Sequence, residues 1–230
     1  MAAMNIPRAL ERYPLGTKID GVGDRWSATD RDRGRDVTVT RVAFGPERRE
    51  QRDALVERVR ALFSVNSPAL IAALDAGAWE DDAFVVEERV SEPQPIGAVD
   101  LDAREKALAA RSIAEGVAAL DAAGWALASL EVVVDAYRQP RIAMALDAER
   151  ATESARATEL ERLQSIVREL VPGAPSASSA SALAKAIDLP SAGPSTPLVH
   201  ATKPSGTPML WVAVVIGVVV IGALALVLGH

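Results

Sequence analysis

The stretch PALIAALDAGAWEDDAFVVEERV, Pro68 to Val90, decides how the chain is read. Its two apolar runs, ALIAALDAG and AFVVEERV, flank the turn-forming acids Glu80-Asp81-Asp82, the pattern of two strands joined by a tight turn. Both runs are short enough to be buried strands.

Upstream the periodicity changes. From Pro46 to Phe63, Leu55, Val59 and Leu62 recur at helical spacing amid Arg and Glu, which predicts one amphipathic helix with a solvated charged face. Before it, Val37, Val39 and Arg41 alternate with Thr38, Thr40 and Val42 in a strand, reached through the turn Asp30-Arg31-Asp32-Arg33-Gly34-Arg35. A hairpin of two early strands follows from that.

Downstream the chain becomes more helical. Leu101 to Ala123 is alanine-rich with Ile113, Val117 and Leu120 on one stripe, and Gly124 stands where a helix ends in a left-handed residue. Leu130 to Val134, a turn over Asp135 to Pro140, and Arg141 to Leu146 predict a small hairpin. A last helix is expected from Glu153 to Leu170, carrying Leu160, Leu163, Val167 and Leu170. The fold class is therefore α+β, in a compact domain over residues 10–172.

From residue 173 to 208 the chain is rich in Pro, Ser, Ala and Gly, with too little apolar surface to offset the entropy of ordering. It reads as a flexible linker with a helical turn or two near Ala182 to Ile187. The run Met209 to Leu228, MLWVAVVIGVVVIGALALVL, is 20 residues without a charge or proline. As a helix it is about 30 Å long, the depth of a bilayer core, so residues 209–228 are expected to be a transmembrane helix. Lys203 precedes the run, and MAAMNIPRALERYP lacks the apolar core of a secretory signal, which places the domain in the cytoplasm of a single-pass membrane protein. Ala213 and Gly217 form a small-xxx-small pair that would let two such helices approach.

Composition narrows the function. A net charge of −6, from 25 Lys and Arg against 31 Asp and Glu, gives no footprint for nucleic acid. No cysteine is present, which removes disulfides and thiolate metal sites, and the two histidines, His200 and His230, have no metal-site company. Asp75, Asp81, Asp82, Glu87 and Glu88 read as strand-end and turn acids and not as a catalytic carboxylate pair.

The order strands, helix, strands, helices, with particular residues in it, resembles the eukaryotic-type serine/threonine protein kinases found in bacteria. Arg12-Tyr13-Pro14-Leu15 looks like the lead into the family's first strand and Trp26-Ser27-Ala28-Thr29-Asp30 like the end of the second. Pro68 falls where a proline separates the helix after the third strand from the fourth strand. Leu74-Asp75-Ala76-Gly77 and Phe84-Val85-Val86-Glu87-Glu88-Arg89-Val90 look like the fourth strand, the fifth strand and the hinge. Ala118-Ala119-Leu120-Asp121-Ala122-Ala123-Gly124 resembles the end of the long helix leading to the catalytic loop. The resemblance covers Leu10 to Gly173. It implies a kinase-like N-lobe, an antiparallel sheet plus one helix, and a shortened, mainly helical C-lobe without a complete activation segment.

The family's chemistry needs phosphate-binding glycines, a strand lysine and metal-binding acids, because phosphoryl transfer is mostly positioning and charge neutralisation. Here Lys18-Ile19-Asp20-Gly21-Val22-Gly23 keeps only Gly21 and Gly23 of a G-x-G-x-x-G loop. Thr40 stands at the strand-lysine position, and Arg58, or Glu57 after a one-residue slip, at its glutamate partner. Leu127-Ala128-Ser129-Leu130 replaces H-R-D-L, the K-P-E-N before Val132-Val133-Val134-Asp135 is absent, and Met144-Ala145-Leu146 falls at D-F-G, with Asp147 close by. A lost general base alone costs about 10² to 10⁴ in rate.

The expectation is a pseudokinase: no catalytic residue, no metal, no required cofactor with ATP binding doubtful, and a role as a membrane-anchored binding scaffold or regulator in signalling. Its partners would be proteins, an active kinase or a phospho-binding protein among them. Ser176, Ser178, Ser179, Ser181, Ser195, Thr196, Thr202 and Thr207 are the linker hydroxyls open to phosphorylation. Two alternatives stay open. One is a divergent active serine/threonine kinase in which Lys18 replaces the strand lysine, and the other an unrelated membrane-tethered adaptor.

Overall fold

The computed structural model describes residues 8–19 and 24–190. Gly21, Gly23, the 209–228 run, both histidines and the linker hydroxyls from Ser195 onward lie outside the described residues. Among the described residues, no helix is long and apolar enough to cross a membrane.

A five-stranded antiparallel sheet forms the first half. Its strands are β1 (Leu15–Lys18), β2 (Asp24–Asp30), β3 (Arg35–Val42), β4 (Ala73–Trp79) and β5 (Asp82–Glu88), and their order across the sheet is β1-β2-β3-β5-β4. The predicted hairpin is β2 and β3, registered from Asp24 opposite Arg41 to Asp30 opposite Arg35. Its turn closes on Gly34, whose φ of 62° is the left-handed region that glycine adopts without strain, and whose N–H donates to the Asp30 carbonyl at 2.7 Å. The carboxylate of Asp30, itself fully buried, accepts from Arg12 Nε at 2.7 Å and Nη2 at 2.8 Å, which fixes the preceding segment across the same turn.

The stretch from Pro68 to Val90 folds as the second hairpin, with Trp79 opposite Asp82 and the turn made by Glu80 and Asp81. Gly77 lies opposite Phe84, and a Cβ built on it would come within 2.7 Å of the Phe84 ring, so the aromatic ring occupies the space a side chain would need. β4 starts at Ala73, not at the front of the apolar run. Leu70 and Ile71 instead turn aside to bond elsewhere, as described below.

Helix α1 (Arg49–Ala61), preceded by a 3-10 turn over Pro46–Arg48, runs between β3 and β4 and packs on β4 and β5. The expected stripe, Leu55, Val59 and Leu62, is buried with Val56. Arg60 donates to the Ala76 carbonyl through Nε at 3.2 Å and Nη2 at 3.0 Å, tying the helix to β4. The opposite face of the sheet carries its own apolar cluster of Tyr13, Trp26, Val37, Val39, Phe84 and Val86, sealed by Leu10. Period-2 alternation thus puts Val37 and Val39 on one side and Thr38 and Thr40 on the other.

The second half is built on α2 (Ala103–Ala122), after a short β6 (Gln94–Pro95). Its start is a reciprocal capping box: the Glu105 N–H donates to the Asp102 carboxylate and the Asp102 N–H to the Glu105 carboxylate, both at 2.8 Å. Gly124, at φ 80°, ends it as the sequence implies. The small strands β7 (Trp125–Leu127), β8 (Val132–Val134), β9 (Pro140–Ile142) and β10 (Ala148–Arg150) follow, β8 and β9 being the expected hairpin and β10 pairing back on β7. Helix α3 (Glu153–Leu170) is capped by Thr152, whose hydroxyl accepts from the Ala155 N–H at 3.1 Å.

The linker expectation is corrected over its first part. Residues 173–190 belong to the compact unit, which runs to Pro190, because α4 (Ala180–Ala186) lies against α2 and buries Ala180, Leu183 and Ala184, with Ile187 just beyond. Small alanines let the two helices approach, so a composition that reads as linker is here a packing surface. Ser179 caps α4, accepting from the Ala182 N–H at 3.1 Å, while Ser176, Ser178 and Ser181 are exposed. The architecture is α+β, an antiparallel sheet with one crossing helix beside a mainly helical half.

Candidate functional site

A cleft of about 730 Å³ opens between β2, β3 and β5 of the sheet and the segments either side of β8 and β9. Val42, Ala43, Ala143 and Leu146 supply its apolar wall. Thr40, Glu87 and Asp147 supply polar groups, with Asp24, Arg25, Arg41 and Glu131 completing the lining.

Strand register sets the innermost pair. Thr38 faces Glu87 and Thr40 faces Val85 across β3 and β5, so Thr40 and Glu87 are diagonal neighbours on the face turned toward the helical half. Thr40 is 5% exposed, and its Oγ1 is buried without a hydrogen-bond partner. Glu87 is 6% exposed. Burial pushes its carboxyl up from 4.5 to about 7, Arg25 opposes the rise, the Ala145 N–H donates to it, and Asp147 adds to the rise by repulsion.

The other positions compared with kinase chemistry scatter. Arg58 projects from α1 and its Nη2 donates to the Leu146 carbonyl at 3.2 Å, so the helix is tied to the loop after β9 by a cation and a carbonyl. Glu57, the slipped alternative, is exposed. Ser129 is exposed on the loop between β7 and β8. Met144 is wholly buried and serves the core, while its carbonyl accepts from the Ala148 N–H at 2.9 Å. Lys18 Nζ lies 2.6 Å from Asp24 Oδ1 and 5.7 Å from the Trp26 ring centre, so its charge is already partnered at the cleft rim.

The acids read as structural divide on inspection of their partners. Asp75 accepts from the Tyr13 hydroxyl at 3.1 Å; burial first, and then this carboxylate, push the phenol up to about 12. Asp82 accepts from the Phe44 N–H at 2.8 Å, the Gly45 N–H at 3.3 Å and Arg41 Nε at 2.8 Å, and so holds the joint between β3 and α1. Arg49 meets Asp81 at 3.3 Å on the surface, and Arg141 pairs with Glu88. Only Glu87 of the five lines the cleft.

Sequence reasoning missed that role, although a signal exists: Glu87 is in phase with Val85, on the inward side of a strand otherwise apolar there. Asp24, Arg25 and Glu131 were missed too, because only the fold brings three separate segments together. Glu159 is a second buried acid, 2% exposed, accepting from the Leu127 N–H at 2.7 Å and raised to about 7 by burial, but it joins α3 to β7 away from the cleft.

As chemistry, the cleft can hold a small molecule and exchange hydrogen bonds with it. Arg41 is committed to Asp82, with Nη2 at 2.7 Å from it, which leaves Arg25 as the cation facing the cavity without a charge partner of its own among the described ion pairs. Among the described residues, no group of three acidic or histidine side chains is placed to hold a metal ion. No protein-family model matches this chain, and no curated protein matches it either.

Proposed function

We propose that the chain is a membrane-anchored pseudokinase, a kinase-like domain kept for binding and regulation in signalling and not for phosphoryl transfer. The observation that supports this most is the element order. Five antiparallel strands with a single helix between the third and the fourth, followed across a cleft by a mainly helical half, is the chain order that the kinase resemblance requires.

The same reading gives the departures their sense. Where the family pairs a strand lysine with a helix glutamate, this chain has Thr40 and Arg58, and Arg58 is engaged with the Leu146 carbonyl instead. A cation on a backbone carbonyl holds α1 against the loop without any phosphate to organise, which suits a domain that presents a fixed surface. The 209–228 run serves as the anchor, and the exposed hydroxyls of Ser176, Ser178 and Ser181 remain sites where an active kinase partner can write a docking charge for a phospho-binding protein.

The test uses the full-length chain in non-ionic micelles with labelled ATP and Mg²⁺ or Mn²⁺. No transfer to itself or to a generic basic substrate above the metal-free blank is the expected result. Metal-dependent transfer that Lys18→Ala abolishes would replace this reading with that of a divergent active kinase.

A further inference from the structure

We infer that the cleft between β3, β5 and the loop after β9 binds a small organic cation, an amine or amidine on an apolar frame, held by the Glu87 carboxylate and the Thr40 hydroxyl. The inference stands on the cleft's own residues, although it concerns the cavity in which the kinase-like reading would put a nucleotide.

Three observations converge. The first is an unmet hydrogen bond: Thr40 lines the cleft, and its Oγ1 is buried and has no partner. A buried hydroxyl left unpaired is costly, and one that faces a cavity is satisfied by whatever enters it. The second is the sign of the charge. With Lys18 partnered by Asp24 and Arg41 by Asp82, the groups left facing the space are Glu87, Glu131 and Asp147 against Arg25. That balance repels a triphosphate and attracts a cation. The third is shape and polarity: Val42, Ala43, Ala143 and Leu146 make a wall for an apolar frame beside two acceptors at the deep end, within about 730 Å³. Glu87 already takes the Ala145 N–H, and a carboxylate has acceptor sites left for an N–H of the ligand.

The experiment is calorimetric titration, at about pH 8 so that Glu87, raised by burial to about 7, is ionised, of the full-length chain in non-ionic micelles with benzamidine and with tryptamine, and with benzoate and MgATP as the opposite-charge probes. Saturable binding of at least one cation is expected, with neither anion competing. Glu87→Gln and Thr40→Val should each weaken it by about tenfold or more, since each removes one hydrogen-bonding group, the first a charged one. Glu105→Gln, at the start of α2 and outside the cleft, should leave it unchanged. Thr40→Val keeps the side chain's shape, so it decides the matter where Glu87→Gln fails to fold. Absence of saturation by both cations, affinity in the two cleft variants equal to that of the natural protein, or preference for benzoate or MgATP would each overturn the inference. The two proposals fail separately: phosphoryl transfer would remove the pseudokinase reading and leave cation binding standing, and a cleft blind to cations leaves the scaffold role intact.

Discussion

Replacing Glu87 by glutamine should make the protein more stable at alkaline pH and leave it nearly unchanged in acid. The carboxyl sits at 6% exposure, and burial raises it from 4.5 to about 7 in the native state. Between those values the unfolded chain ionises this residue while the folded chain keeps it protonated. The folded state therefore binds more protons, and stability falls as pH rises, at about 1.4 kcal/mol per pH unit, until the native carboxyl ionises as well. The contribution is complete below about pH 4.5 and gone above about pH 7, for a total of about 3 kcal/mol. Glutamine keeps an oxygen for the Ala145 N–H and has nothing to titrate. Other titrating groups, Glu159 among them, are shared by both proteins and cancel in the difference, provided that Arg25 and Asp147, the charged groups facing Glu87, keep their places. Urea unfolding of residues 1–190 at pH values from about 5 to 8 measures it. The stability of Glu87→Gln minus that of the natural protein should climb with pH and level off near 7, reaching a gain of about 3 kcal/mol at the plateau. A flat difference would mean that Glu87 is already ionised at acid pH in the folded protein, and the account of the cleft's deep end would be wrong.

Further outcomes follow from single contacts. Gly77→Ala places a Cβ where the Phe84 ring lies and should destabilise by about 1–3 kcal/mol in denaturant unfolding, because a fully buried ring has nowhere to go. Leu183→Ala should cost about 2–5 kcal/mol by the same assay, and a chain cut after Pro172 should melt well below one cut after Pro190, since α4 closes the core over α2. Asp82→Ala leaves the Phe44 and Gly45 N–H groups without their acceptor and should cost about 1–3 kcal/mol, with faster amide exchange at those two residues as its local signature.

What could be read from the sequence follows the length of each repeating signal. Helices α2 and α3 carry four or five turns of one stripe and a recognisable cap, so the expected spans, Leu101 to Ala123 and Glu153 to Leu170, fall within a residue or two of those observed. Strands β7 and β10 have three residues each, too few to show alternation, and their pairing depends on partners far apart in the chain, from Ala148 opposite Leu127 to Arg150 opposite Trp125. Ala69 to Ala72 reads as strand by composition, but the Ala69 carbonyl and the Ile71 N–H are claimed by Ile142 of β9, and only the Ala72 carbonyl is taken by Glu88 of β5, a tertiary preference that no local window contains. Helix α4 was legible as the helical turn or two expected near Ala182 to Ile187, but its packing on α2 hid in alanine and serine. Its only apolar repeat is Leu183 and Ile187, and the contact that orders it comes from α2. Of the cleft, the sequence offered only departures from the family it resembles, Thr40 where that family has lysine and Met144 near where it has aspartate. The cleft's positive content, an inward Glu87 beside an unpartnered Thr40, appears only once β3 and β5 are in register.

The detour of the chain ahead of β4 also fixes how the molecule comes apart. The Ile142 N–H donates to the Ala69 carbonyl at 2.7 Å, and the Ile71 N–H donates to the Ile142 carbonyl at 2.9 Å. These bonds cross from the sheet half to the helical half, and Ile142 and Leu70 are both fully packed around them. Neither amide is released by fraying of one half alone, because each has its partner in the other. Melting should accordingly be a single concerted event, in which the slowest-exchanging amides of the two halves share one opening free energy.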